Sequence, residues 1–173
     1  QQEANRIALQ AAFVHFQRGL AWYDKNDYDR AIADFSESIR LNPQDGSPWV
    51  GRGAAYMYKN DLKQAIADFS EGIKLKPGQA FAHMQRGIAY HRIGDADNAL
   101  TDYTIAHELT PKDPNPLVNR GIVYYTKKGK FDEAVADFNL ALKLNPKEVN
   151  ALINRGVTWR QRNDLDRDIV DST

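Results

Sequence analysis

The stretch YDRAIADFSESIRLNP, residues 28–43, recurs along the chain with the same chemical pattern. It returns as LKQAIADFSEGIKLKP at 62–77, ADNALTDYTIAHELTP at 96–111 and FDEAVADFNLALKLNP at 131–146. Each copy places an alanine four residues before an aromatic residue, so both side chains lie on one face of a helix. A proline then ends the helix, because it lacks an N–H donor and its ring clashes with the preceding turn. A period of about 34 residues is typical of a stacked helix–turn–helix array.

A second type of helical segment occurs five times, before each of these stretches and once after the last, and it carries a glycine followed three residues later by an aromatic residue. The glycines are Gly19, Gly53, Gly87, Gly121 and Gly156, and the aromatic residues are Trp22, Tyr56, Tyr90, Tyr124 and Trp159. Glycine destabilises a helix interior by up to about 1 kcal/mol relative to alanine. We therefore expect each glycine to mark a close crossing with the paired helix.

The residues between the two helices of a unit have turn and capping chemistry. Left-handed backbone that ends a helix is predicted at Asn26, Asn60, Gly94, Gly129 and Asn163. An N-cap for the following helix is predicted at Asp27, Asp61, Asp95 and Asp164, whereas Lys130 breaks this series.

Glycine, aromatic, alanine, aromatic and proline at these intervals resemble the tetratricopeptide repeat family. The resemblance implies an all-α fold, a right-handed superhelical solenoid of antiparallel helix pairs in which the first helices line a concave groove. We expect one domain over 1–173, with about four and a half repeats at 12–45, 46–79, 80–113, 114–148 and 149–173, and an N-terminal helical extension at 1–11. The last repeat is incomplete, because Asp168 and Ser172 replace its alanine and aromatic residue and the chain stops within its second helix.

An arginine precedes each glycine, and an aspartate follows sixteen or seventeen residues later. The pairs are Arg18–Asp34, Arg52–Asp68, Arg86–Asp102, Arg120–Asp137 and Arg155–Asp171. These positions fall at similar heights in an antiparallel helix pair, so we predict a structural ladder of ion pairs; whether each bond lies within a unit or spans two stays open. Arginine suits this role because its planar fork binds a carboxylate through two hydrogen bonds. The rival interpretation makes the arginines anion receptors.

Polar amides occupy the position just before the arginine in four of the five units, at Gln17, Gln85, Asn119 and Asn154, with Gly51 in the other. The resemblance places them toward the groove. A side-chain amide offers a donor and an acceptor together, which matches the backbone of an extended peptide. The alternative is that these amides are solvated polar residues.

An apolar stripe flanks the amides, and it comprises Phe16, Leu20, Tyr23, Val50, Ala54, Met57, Met84, Ile88, Val118, Ile122, Tyr125, Ile153 and Val157. Packing between adjacent first helices accounts for part of it, and the remainder is an exposed apolar surface of the kind that marks interaction sites. The predicted peptide contacts are Phe16, Tyr23, Met57, Tyr58, Phe81, Met84 and Tyr125, together with His91 and Arg92 toward the groove.

Composition excludes several classes of function. Twenty-three basic and 23 acidic residues cancel, so we expect no nucleic-acid partner, and we expect no membrane insertion from a chain without a long apolar run. Without cysteine, a phosphate-binding loop or a metalloprotease motif, no enzyme activity, cofactor or metal is expected. The chain should be soluble, and its compartment is not indicated. Gln1 is not an initiator methionine, which leaves open a processed protein with a removed signal peptide.

The predicted function is therefore a non-catalytic scaffold that binds a peptide or protein segment in its groove. One alternative is an architectural module that forms a homo-oligomer, associating end to end through the incomplete last repeat. Another is the docking region of a larger enzyme.

Overall fold

The computed structural model describes residues 2–171 and the side chains of residues 2–163. All regular structure within residues 2–171 is α-helical, which confirms the predicted fold class. The helices are α1 (Gln2–Asp24), α2 (Tyr28–Leu41), α3 (Gly46–Tyr58), α4 (Leu62–Leu75), α5 (Ala80–Ile93), α6 (Ala96–Leu109), α7 (Asn115–Lys128), α8 (Phe131–Leu144) and α9 (Val149–Asp171). Within the described part of the chain, no helix has both the length and the apolar character needed to cross a bilayer.

The chain divides into two compact units, unit 1 (Gln1–Ile93) and unit 2 (Gly94–Thr173). In unit 1, α1 pairs with α2, α3 pairs with α4, and α5 packs on α4, while the first helices α1, α3 and α5 also touch in turn. In unit 2, α6 packs on α7, α7 pairs with α8, and α8 packs on α9. The boundary falls between α5 and α6, inside the expected repeat at 80–113, and the single domain stays a prediction.

The turns within the helix pairs follow the predicted chemistry. Left-handed backbone occurs at all four predicted positions up to residue 129, with φ of 60° at Asn26, 62° at Asn60, 87° at Gly94 and 60° at Gly129. The N-caps are also confirmed: the carboxylates of Asp27, Asp61 and Asp95 accept hydrogen bonds from Arg30, Gln64 and Asn98 N–H, respectively. Lys130 makes no side-chain cap, as expected.

The last repeat differs from the prediction. A turn was expected at Asn163 and Asp164, but α9 continues without a break from Val149 to Asp171. The expected second helix has no alanine or aromatic residue at the two positions that pack against the first helix elsewhere, so little favours a turn back onto α9. At the other end, α1 includes residues 2–11, in line with the expected helical extension.

Three helix pairs, those of α1, α3 and α7, are tightly packed at the predicted glycine. A Cβ atom built on Gly19 would lie 2.7 Å from the Phe35 ring, and one on Gly121 would lie 2.7 Å from the Phe138 ring. At Gly53 the corresponding distance to Phe69 is 3.0 Å. All three rings are fully buried. The glycine therefore makes room for an aromatic side chain of the paired helix, and the buried alanine one turn earlier lets the two helices approach.

Gly156 on α9 is the exception, because a Cβ built there meets no atom within 4 Å. We expect Gly121→Ala to lower the free energy of unfolding by about 1–3 kcal/mol, since the new methyl group overpacks against Phe138. Gly156→Ala should instead raise it by up to about 1 kcal/mol, because only the higher helix propensity of alanine operates there. Urea unfolding followed by circular dichroism measures both changes, and effects of the same sign would contradict this view of the pairs.

Candidate functional site

An apolar pocket opens in unit 1 where α1, α3 and the start of α5 meet, and we call it the unit 1 pocket. Its volume is about 270 Å³. It is lined by Phe16, Leu20, Tyr23, Phe35, Ser47, Val50, Gly51, Ala54, Gln79 and Phe81. None of these described lining residues is charged, so the pocket favours an apolar side chain over an ion or a sugar.

Gly51 explains why the pocket exists at this place. It stands at the position where the other repeats carry an amide side chain. A Cβ atom there would lie 2.8 Å from Cζ of Phe35, so the backbone of α3 rests directly on the Phe35 ring. A longer side chain at this position would stand in the space that the pocket occupies. Phe35, Ser47 and Gln79 were not predicted as lining residues, although Gly51, which interrupts the amide series, is a signal for this pocket.

Three tyrosines cluster beside the pocket. The Tyr58 ring stacks on Tyr28 with centroids 4.8 Å apart and planes inclined by 10°, and Tyr23 meets both rings edge-on at 5.6 Å. Burial is the main reason why the pKa of Tyr23 is raised above its ordinary value. Tyr58 remains 64% exposed, so its outer side is available for contact.

The other predicted contacts of unit 1 differ in accessibility. Phe81 is 56% exposed, Gln17 is exposed, and Met84 and Gln85 are half-buried. Met57 departs from the prediction, because its side chain is only 8% exposed and packs in the core with Phe69 and its neighbours. It points to the interior since the stripe at helical spacing also supplies the contact between adjacent first helices.

His91 and Arg92 end α5 and differ in their surroundings. His91 is half-buried. The Arg92 side chain is tied to the turn after α3, where Nη2 donates to Asn60 Oδ1 at 2.7 Å and Nη1 approaches the Met57 carbonyl oxygen at 3.5 Å. Arg92 therefore braces unit 1 in addition to being exposed.

Three predicted contacts lie in unit 2, where each has a local partner. Asn119 Nδ2 donates to the Asn115 carbonyl oxygen at 3.0 Å, and Asn154 Nδ2 donates to the Asn150 carbonyl oxygen at 2.8 Å. Each amide thus uses one donor on its own helix. Tyr125 packs against the Phe131 ring at a centroid distance of 5.9 Å.

The structure brings together three of the predicted Arg–Asp pairs, each through two hydrogen bonds within one helix pair. Arg18 Nε and Nη2 donate to Asp34 at 2.7 and 2.6 Å, Arg52 to Asp68 at 2.7 and 2.8 Å, and Arg120 to Asp137 at 2.8 and 2.7 Å. All three aspartates are buried. Hydrogen bonding to Asp68 raises the pKa of Arg52, as expected for a charge-assisted pair. Arg86 and Asp102 lie in different units, and their pairing stays a prediction.

In four of the predicted arginines, Nη1 reaches the preceding helix, a contact that was not predicted from the sequence. Nη1 of Arg52, Arg86, Arg120 and Arg155 donates to the side-chain oxygens of Ser36, Ser70, Thr104 and Asn139, respectively, at 2.8–3.0 Å. The acceptor always stands two residues after the aspartate of the preceding repeat. Arg52 and Arg120 also bind an aspartate of the following helix, so each of these two arginines joins three successive helices.

The predicted partner of Arg155 is Asp171, near the end of α9. Arg155 and Asp171 lie sixteen residues apart on the continuous helix α9, about 24 Å at the α-helical rise of 1.5 Å per residue. The Asp171 side chain lies outside those that the structure describes, so the pairing stays a prediction. No group of three or more histidine, aspartate or glutamate side chains able to hold a metal ion occurs among the described residues.

Comparisons with known proteins agree with this architecture. Family models match residues 12–45 and 123–172, both described as tetratricopeptide repeat, and residues 53–94, described as TPR repeat. No curated protein matches the sequence significantly.

Several solved structures share the fold at low sequence identity. MamA protein is 19% identical, with a TM-score of 0.84 over 92% of this chain and 87% of its own. MamA 41-end from Desulfovibrio magneticus RS-1 is also 19% identical, with a TM-score of 0.83 over 89% of this chain and 86% of its own. YrrB, described as a TPR protein with an unusual peptide-binding site, is 20% identical, with a TM-score of 0.79 over 94% and 83%.

The buried ion pairs should make a large contribution to stability. We expect Asp68→Ala to lower the free energy of unfolding by about 3–5 kcal/mol, because it leaves the Arg52 guanidinium buried without its carboxylate. The control is Asp132→Ala, which removes an exposed ion pair with Arg162 and should cost about 0–1 kcal/mol. Thermal and urea unfolding measure both, and equal losses would show that the ladder is not structural.

Asp34 should make stability depend on pH in the acid range. The hydrogen bond from Arg18 is the main reason why the pKa of Asp34 lies below its ordinary value of 3.8. Its stabilising contribution is therefore complete above that value and is lost as the pH falls through the lowered pKa. We expect the difference in unfolding free energy between wild type and Asp34→Asn to shrink between about pH 5 and pH 2. A difference that does not vary with pH would contradict this.

Proposed function

The chain belongs to the tetratricopeptide repeat family of protein–protein interaction scaffolds, and we propose that unit 1 binds a peptide segment of a partner protein at the unit 1 pocket. The fold is typically non-catalytic, and its relatives bind proteins or peptides. The observation that carries the proposal is an uncharged pocket of about 270 Å³ beside the partly exposed rings of Phe81 and Tyr58.

The chemistry of the pocket specifies the part of the peptide that enters it. Its lining is aromatic and aliphatic apart from Ser47, Gln79 and the Tyr23 hydroxyl, and its volume accommodates one large side chain such as leucine, phenylalanine or tryptophan. Burial of such an anchor supplies most of the binding energy in many peptide complexes. The neighbouring amides of Gln17 and Gln85 then hydrogen bond to the peptide backbone.

Within unit 1, the proposed surface continues along the first helices α3 and α5. Tyr58 offers the outer side of its ring to a second apolar residue of the peptide, and Met84 lies on α5 with Gln85. In unit 2, Asn119, Asn154 and Tyr125 are proposed to form a separate peptide contact, with the side-chain carbonyl oxygens of the two asparagines as acceptors. YrrB, whose fold is similar, has a peptide-binding site, and this supports the assignment of the same class of ligand here.

Self-association is the second candidate. Ile7, Phe13 and Val14 are 57%, 61% and 56% exposed on α1, which provides an apolar surface for a second copy. This alternative predicts a mass that rises with protein concentration, whereas a peptide-binding scaffold does not require it.

A selected peptide can test the role of the pocket. A 12-residue peptide selected from a phage-displayed random library should contain one large apolar anchor, and Phe81→Ala should weaken its binding at least about tenfold. The matched control is Phe13→Ala, which removes a phenylalanine of similar exposure from α1 outside the pocket and should leave the affinity unchanged.

Isothermal titration calorimetry measures the affinities, and light scattering on the same samples reports the mass. Equal affinity of wild type and Phe81→Ala for the peptide would contradict the proposed site. Failure of any peptide to enrich, together with a mass that rises with concentration, would instead favour self-association.

A further inference from the structure

The helix α9 repeats the surface that α7 uses to hold α8, and among the described helices α9 contacts only α7 and α8. Leu152, Arg155, Gly156 and Trp159 repeat Leu117, Arg120, Gly121 and Tyr124 with an offset of 35 residues; we call these four residues of α9 the α9 face. Leu117 is fully buried, whereas Leu152 is 44% exposed and Trp159 is 55% exposed. The α9 face and Asn139 line a cavity of about 480 Å³.

The arginine of the α9 face is already oriented for a partner. Arg155 Nη1 donates to Asn139 Oδ1 at 2.8 Å, as Arg120 Nη1 donates to Thr104 Oγ1 at 2.9 Å. The other edge of the Arg120 guanidinium, formed by Nε and Nη2, donates two hydrogen bonds to Asp137. The corresponding edge of Arg155 has no described side chain bonded to it. A carboxylate in the position that Asp137 has beside Arg120 would accept hydrogen bonds from this edge and balance the charge of Arg155.

The space beside Gly156 in the α9 face is open, whereas an aromatic ring fills the corresponding space in other pairs. In the pairs of α1, α3 and α7, an aromatic ring of the second helix lies within 2.7–3.0 Å of a Cβ built on the glycine. No atom lies within 4 Å of a Cβ built on Gly156. The space that an aromatic side chain fills elsewhere is thus open on α9, directly beside the unfilled edge of Arg155.

We propose that the α9 face binds an amphipathic helix of a partner protein that carries the pattern Ala-x-x-Asp-Phe or Ala-x-x-Asp-Tyr. The alanine permits close approach, the aspartate pairs with Arg155, and the aromatic ring covers Gly156. All four helices of this pattern in the chain itself have their aromatic residue fully buried, namely Phe35, Phe69, Tyr103 and Phe138. A second folded copy therefore has no such helix to offer. The site is separate from the unit 1 pocket and does not depend on its function.

The test uses the whole chain and a synthetic probe with the sequence KFDEAVADFNLALKLNP, which is residues 130–146. Fluorescence anisotropy of the labelled peptide should show saturable binding. Gly156→Ala should weaken binding at least about tenfold, because its methyl group takes the place of the aromatic ring. Arg155→Ala should weaken binding by a similar factor, because the aspartate of the peptide loses its ion-pair partner. Peptides with Asp137→Ala or Phe138→Ala should also lose at least about tenfold in affinity.

Controls separate this site from the others. Gly156→Ala should stay folded with a melting temperature no lower than that of wild type, and Phe81→Ala in the unit 1 pocket should bind the probe as wild type does. The proposal is overturned if Gly156→Ala binds the probe with unchanged affinity, or if wild type shows no binding at about 1 mM peptide. It is also overturned if the protein dimerises and Gly156→Ala abolishes dimerisation, because the occupant would then be a second copy.

Discussion

Two adjacent residues, an arginine and a glycine, hold the helix pairs of α1, α3 and α7 together. The glycine removes the side chain that would keep the helices apart, and the aromatic ring of the paired helix fills the space. At this short distance the arginine fork reaches a buried aspartate with two hydrogen bonds, as in Arg52 and Asp68. The two effects depend on each other, because the carboxylate is buried by the same close packing that it helps to fix. The remaining arginine nitrogen then joins the pair to its predecessor.

The surfaces available for binding follow from this constraint. Within a pair, the glycine and aromatic face is fully used, so the free apolar surface lies on other faces of the first helices. The unit 1 pocket forms where Gly51 replaces the amide side chain that the other repeats carry at this position. The α9 face differs in another way, since no second helix packs on its Arg–Gly step within the described residues. Both surfaces thus arise where one repeat departs from the pattern of the others.

Sequence patterns predicted the features that depend on residues close together in the chain or repeated in every unit. The left-handed turns at Asn26 and Asn60, the aspartate caps and the Arg–Asp pairs are of this kind. The continuous helix α9 was not predicted. Asn163 alone suggested a turn, but a turn is not stabilised when the following segment lacks the alanine and the aromatic residue that pack against the first helix in other repeats. The burial of Met57 and the lining role of Phe35 depend on how three helices meet. A single helical stripe cannot distinguish such a core position from an exposed one.

A double-mutant cycle on Arg120 and Asp137 tests most directly whether the arginine–glycine step holds the pairs together. The free energies of unfolding of wild type, Arg120→Ala, Asp137→Ala and the double variant give the coupling between the two side chains. A buried pair with two hydrogen bonds predicts a coupling above about 1.5 kcal/mol. A coupling below about 0.5 kcal/mol would mean that the pair is only a consequence of packing, and the account of the helix pairs and of the α9 face would be contradicted.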